Sequence, residues 1–411
     1  MLGKYKVLSN LIKVSTLSFI AILAFGVHDF ILPIFIESQA QSFAIVGLII
    51  SLINIASFFA EIPIGIAVDK YGGAKILSAS MIVLSALGFI YYLTQNILVL
   101  ALTAFAFGIT NVAFWIPSTV IVRESSPRNM LSISEATYMT ITQFGWILGP
   151  IVAGLVAAVF SVRHNFLLIS AFMFGALVFG IIVLRKYKTK NITEKSKHKH
   201  KAKLTLLTTI FREYLGVHKH AGPLYGLTLA VYIWIAIQWA FVPLAGIERF
   251  NFTESAAGLI LGAMMIVEGI LYFSSGYIMD KIGKRYIITT GFLILFSSTY
   301  FMFLATSPTV FILTAMMSAG AVSWVLPGIE ALLTEIVPVN LYGEMSGVFE
   351  TSKDFGTIIG PLVAGILAAA LHNPLTPFLF VALVMASAAI LSGYVFWPEQ
   401  KDIKLKLFAK N

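Results

Sequence analysis

The chain contains no cysteine. Disulfides, thiolate metal sites and cysteine nucleophiles are therefore excluded, and the redox compartment leaves no mark on the sequence. Charge is also scarce. Asp, Glu, Lys and Arg make up 11% of the 411 residues, against 58% hydrophobic residues and a mean hydropathy of +0.91. A soluble domain cannot bury that much apolar surface, which points to an integral membrane protein. No Gly-x-x-x-x-Gly-Lys-Ser/Thr loop is present, which argues against ATP as an energy source within this chain. Histidines cluster in "HKHK" at His198–Lys201 and "HKH" at His218–His220, but no carboxylate cluster accompanies them. They read as a solvated basic segment rather than a metal site. No cofactor, no metal and no enzymatic activity are expected.

The net charge of +9 is carried in short clusters between long apolar runs. That distribution suits loops drawn to anionic lipid, not a nucleic-acid surface. A helix needs about 20 residues to cross the hydrocarbon layer. Runs of that length fall at 15–37, 44–67, 75–95, 97–122, 134–160, 165–185, 223–247, 255–279, 286–306, 308–333, 345–370 and 375–397. The first run contains His28, Asp29 and Pro33 and reads as a retained span, not a cleaved leader. The division expected is a six-helix bundle at 1–185, a basic cytoplasmic linker at 186–222, a second six-helix bundle at 223–397 and a cytoplasmic tail at 398–411. From Arg185 to Gly222 there are eleven Lys or Arg against two Glu, and a short amphipathic surface helix is expected around Leu204–Tyr214. With both termini in the cytoplasm, 25 of the 28 Lys and Arg lie inside, Arg163 and Arg249 lie outside, and Lys353 falls within a helix. The positive-inside rule thus sets the orientation in the plasma membrane.

The second half repeats the first at a constant offset of 211 residues. "GIAVDKYGG" returns as "GYIMDKIGK", aligning Gly65, Asp69, Lys70 and Gly72 with Gly276, Asp280, Lys281 and Gly283. Glu124, Pro127 and Asn129 align with Glu335, Pro338 and Asn340. Gly145, Gly149, Pro150 and Gly154 align with Gly356, Gly360, Pro361 and Gly365. A parallel repeat of six helices implies a pseudo-twofold axis along the membrane normal and two bundles that rock about a central site.

On these residues the chain resembles the major facilitator superfamily of secondary transporters, and in the glycine-proline string its drug-exporting members. The family's loop pattern is Gly-x-x-x-Asp-(Arg/Lys)-x-Gly followed by basic residues. It is met by Gly65, Asp69, Lys70 and Gly72, and more completely by Gly276, Asp280, Lys281, Gly283, Lys284 and Arg285. A single chain that holds both halves is expected to be a monomer, and the resemblance implies alternating access, with Asp69 latching onto the start of helix eleven when the cytoplasmic side is shut. An Arg found four residues before a Gly in helix four of many proton-coupled members is replaced by Ala104, before Gly108.

Physical chemistry gives each motif two readings. Gly65 and Gly72 allow close helix approach and a tight turn, and the loop is either a gating latch or a topological anchor. The glycines four apart in helices five and eleven form a smooth groove, and the proline permits a bend or merely follows the packing. Ionisable groups within a membrane are costly and therefore functional candidates. They are Asp29, Glu61, Glu268, Lys353 and Asp354. Lys353 is expected to pair either with Glu61 or with Glu350 on its own helix, and Asp29 is the leading group for proton coupling. The resemblance places helices one, four, seven and ten along the cavity. There the sequence offers Asn111, Trp115, Tyr232, Trp234, Gln238, Trp239 and Trp324. Aromatic rings with few charges suit an amphipathic or lipophilic substrate, cationic ones included. The expectation is proton-coupled efflux of such a molecule. Symport of a sugar or organic anion, or a non-transporting sensor on the same scaffold, are the alternatives.

Overall fold

A computed structural model describes residues 2–126, 130–184, 204–336 and 342–396. Pro127, Asn129, Pro338, Asn340, linker residues 186–203 and the tail lie outside the described residues. Twelve helices follow one another, and among the described residues there is no strand: α1 Leu2–Ala40, α2 Phe43–Tyr71, α3 Gly73–Leu93, α4 Ile97–Ser125, α5 Leu131–Val159, α6 His164–Leu184, α7 Leu204–Phe250, α8 Glu254–Ile282, α9 Lys284–Phe303, α10 Pro308–Ile336, α11 Tyr342–Ala370 and α12 Thr376–Phe396. Each contains a stretch long and apolar enough to cross a membrane. The helical segment expected near Leu204–Tyr214 is the beginning of α7, which runs unbroken into the seventh span.

The 211-residue repeat extends to helix boundaries. Adding 211 to the ends of α2, α4 and α5 gives the ends of α8, α10 and α11 without a residue's error. The last glycine of each loop motif sits between two helices in a conformation closed to other residues. Gly72 has φ 89° and ψ 141°, and Gly283 has φ 100° and ψ 132°. A glycine there ends one helix and caps the next without a Cβ clash.

Contacts divide the chain into two compact units. The first comprises Met1–Lys201, Ala236–Ile266 and Thr357–Pro377; the second comprises Ala202–Ile235, Val267–Gly356 and Phe378–Asn411. In the first, α1 is the central helix. It packs on α5, α6, α4 and α2, and 78% of its apolar window is buried, against 33% for α2. A helix apolar on every side belongs in such a position. α2 instead presents Phe59, Ile62 and Ile66 outward, as a lipid-facing helix does. In the second unit, α9 packs on α10, with Gly291 seated against Val325.

Candidate functional site

The glycine-proline strings are double-sided packing surfaces. One face of α5 meets α1. A Cβ at Gly149 would stand 2.6 Å from the backbone of Gly26, and one at Gly145 would stand 3.0 Å from the nitrogen of Leu23. The other face meets α8. Gly258 lies against the Pro150 carbonyl, a Cβ on Gly154 would be 2.6 Å from the Glu254 carbonyl, and Ser255 Oγ donates to the Gly154 carbonyl at 3.0 Å. The same contacts recur at the repeat offset, where Gly47 of α2 lies on the Pro361 carbonyl and Gly365 on the Phe43 carbonyl. Proline adds a polar lock. Pro361 has no N–H, so the carbonyl of Thr357 loses its helical donor. Asn54 Nδ2 donates to that carbonyl at 3.0 Å, and Ser51 Oγ donates to the next one, Ile358, at 2.7 Å. These contacts close the helix ends nearest the α1–α2 and α7–α8 turns.

Below this closure, aromatic side chains from four helices form a row. Phe25 of α1 lies near-parallel to Trp115 of α4, with ring centres 6.4 Å apart. Trp115 is parallel to Trp146 of α5 at 6.5 Å, and Trp146 meets Trp239 of α7 at 5.2 Å. All three tryptophans are half-buried. Polar atoms without a hydrogen-bond partner among the described residues occur on the same helices. They include Oδ1 of Asn111, one turn from Trp115, and both amide atoms of Gln238, beside Trp239. A buried unpaired amide atom costs about 1–3 kcal/mol, which a polar ligand group could recover.

Asp29 shares this unit. Its Oδ1 is 2.8 Å from Nδ1 of His28; the imidazole is buried at 1% exposure while the carboxylate is 39% exposed. The imidazole stacks on Phe107 at 3.6 Å, and its Nε2 has no partner among the described residues. Pro33, one turn on, cannot donate to the Asp29 carbonyl. The pairing makes the two neighbours in the sequence a His–Asp pair.

In the second unit the charges gather around Lys353. Its ammonium lies 3.0 Å from Glu350 and 3.7 Å from Glu330, over the rings of Phe349 at 4.5 Å and Tyr232 at 5.4 Å. Of the two partners weighed from the sequence, Glu350 is in place, and Glu330 joins it. Glu268 is half-buried on α8; its backbone carbonyl accepts from Ser323 Oγ of α10 at 2.8 Å. Trp324 is half-buried on α10. Glu61 is exposed on α2, and Asp354 is half-buried on α11. Trp234 corrects the cavity set. It is fully buried and packs edge-on against Phe378 of α12, so it is a core side chain.

The loop motifs also correct one expectation. A Cβ at Gly65 or Gly276 would meet nothing within 4 Å, so neither provides close packing here; the tight turn is made by Gly72 and Gly283. Asp69 and Asp280 are exposed, and among the described residues neither carboxylate has a hydrogen-bond or ion-pair partner. Lys70 lies over Tyr71 at 5.0 Å and Lys281 over Tyr277 at 4.3 Å. Lys284 pairs with Glu335. Arg285 Nη1 is buried without a partner among the described residues.

Trp146 is the site residue that motif reading passes over. It sits inside Gly145-x-x-x-Gly149, where only the spacing of glycines draws attention. Its own signal was a tryptophan on the helix face that the glycines bring against neighbours.

This architecture is that of a multi-pass membrane transporter and not of an enzyme. The Major Facilitator Superfamily family model matches residues 14–248 and 224–411, and the chain belongs to that family. It is similar to the proton-coupled antiporter flippase LtaA of Staphylococcus epidermidis, 23% identical over 367 residues, covering 88% of each chain. It is also similar to the quinolone resistance protein NorA of Staphylococcus aureus, 28% identical over 187 residues, or 45% of this chain and 47% of NorA. Among solved structures, the nucleoside transporter NupG superposes with a TM-score of 0.77 at 13% identity, covering 95% of this chain and 100% of NupG. That likeness establishes the fold alone.

Proposed function

We propose that the protein exports a hydrophobic or amphipathic small molecule in exchange for protons, by alternating access between two six-helix halves, 1–185 and 223–397. The observation that carries this reading is the row Phe25–Trp115–Trp146–Trp239. Stacked rings with few hydrogen-bonding groups favour a flat or lipophilic solute over a sugar. The names of LtaA and NorA, an antiporter flippase and a drug-resistance protein, point the same way.

The orientation follows the lysine and arginine distribution, with both termini in the cytoplasm. The α2–α11 and α5–α8 contacts are then the outer closure. Asp69 and Asp280 belong to the inner loops, where their latching accompanies the opposite state. Asp29, half-exposed and backed by His28, is the proton-coupling group, and protonation there alternates with substrate binding. Proteoliposomes with an imposed pH gradient test the reading. Gradient-driven accumulation of tetraphenylphosphonium or ethidium is expected. Uptake of a polar solute instead supports symport, and binding without flux supports a sensor.

A further inference from the structure

The Lys353 cluster has the make-up of a binding site for a cation, with its own lysine inside. Two carboxylates, Glu330 from α10 and Glu350 from α11, approach the ammonium at 3.7 Å and 3.0 Å. Two aromatic rings, Phe349 and Tyr232, lie at 4.5 Å and 5.4 Å, the distance at which a ring face attracts a cation. The ammonium group belongs to a side chain only 16% exposed, whereas the carboxylates are 41% and 60% exposed. The carboxylates are therefore the accessible part of the cage and the ammonium its enclosed part. Lys353 lies eleven residues into α11, about 16 Å along the helix, within the membrane-spanning stretch. A structural ion pair needs one partner. Here there are two acids and two rings.

We propose that Glu330, Glu350, Tyr232 and Phe349 form a receptor for a lipophilic cation, that the ammonium of Lys353 occupies it as a tethered competitor, and that an incoming cation displaces it. This rests on the efflux reading in taking the solute to be an amphiphile, and it adds the sign of its charge. Occupation by lysine keeps the acids neutralised within the membrane and makes release of the cargo a competition with a group that never leaves. Lysine suits the task better than arginine, because its compact, flexible ammonium is more easily withdrawn than a planar fork.

The test is equilibrium binding of tetraphenylphosphonium to the full chain in nanodiscs, read by calorimetry. It needs no proton gradient and so separates this inference from the coupling claim. Lys353→Met, which retains the aliphatic stem, is expected to tighten binding about tenfold, and Lys353→Arg to weaken it by a similar factor. Glu330→Gln is expected to weaken binding and, combined with Lys353→Met, to erase the gain. A folded Lys353→Met that binds no better than wild type, or no binding to either protein, overturns the proposal. Should the methionine variant fail to fold, Lys353→Arg decides, since binding equal to or tighter than wild type is incompatible with a tethered competitor.

Discussion

At the scale of single residues, the glycines of the repeated loop divide into two kinds that spacing alone does not distinguish. Gly72 and Gly283 hold backbone conformations in which an L-residue is strained by about 1–3 kcal/mol. Gly72→Ala and Gly283→Ala are expected to lower thermal stability in detergent by that amount each, whereas Gly65→Ala and Gly276→Ala, with open space around them, should stay within about 0.5 kcal/mol of wild type. Equal losses at all four positions would contradict the assignment. Trp115, Trp146 and Trp239 carry the second residue-scale prediction. Replacing any one with Ala should weaken tetraphenylphosphonium binding about tenfold, the worth of one aromatic contact, and quenching of intrinsic fluorescence reads it. Asp29→Asn is expected to abolish pH-gradient-driven accumulation while leaving solute counterflow intact, because exchange needs the pathway but not the proton. Loss of both activities would make Asp29 a structural residue.

Among the elements, the proposed closure of one end of the pathway rests on the pairs α2–α11 and α5–α8, where Gly47 lies on Pro361 and Gly258 on Pro150. A leucine side chain at either glycine cannot fit against a carbonyl that already excludes a Cβ. Gly47→Leu and Gly258→Leu are each expected to hold the outer end open, raising the labelling rate of outer-end cysteines severalfold and stopping the cycle. Unchanged labelling would contradict the closure. The helices themselves were legible from the sequence because a membrane leaves the backbone no alternative, and all twelve runs became spans. What was not legible was which face each helix presents. The hydrophobic runs look alike on every side, so the fully buried Trp234 and the half-buried Trp239, five residues apart, could not be told apart. For the same reason the third member of the Lys353 cluster, Glu330 of α10, emerged only when neighbouring helices were in place.

For the whole molecule, the 211-residue repeat was the strongest signal in the sequence, and the matching helix boundaries show why. A duplicated six-helix unit keeps its turns, its loop glycines and its proline-bearing contact helices in register. The repeat also makes the two contact pairs, α5–α8 and α2–α11, images of one another at the same offset. Charge composition divides the labour unevenly. The first half contributes the His–Asp pair and three rings of the aromatic row, and the second contributes Trp239 and the Lys353 cluster.

Alternating access through these closures is tested most directly by a reversible clamp, for which the cysteine-free chain is a ready background. Ser51→Cys with Ile358→Cys joins α2 to α11 where Ser51 Oγ and the Ile358 carbonyl are 2.7 Å apart. Oxidation in proteoliposomes should stop gradient-driven tetraphenylphosphonium flux, and reduction should restore it. Undiminished flux through the fully crosslinked protein would contradict the account.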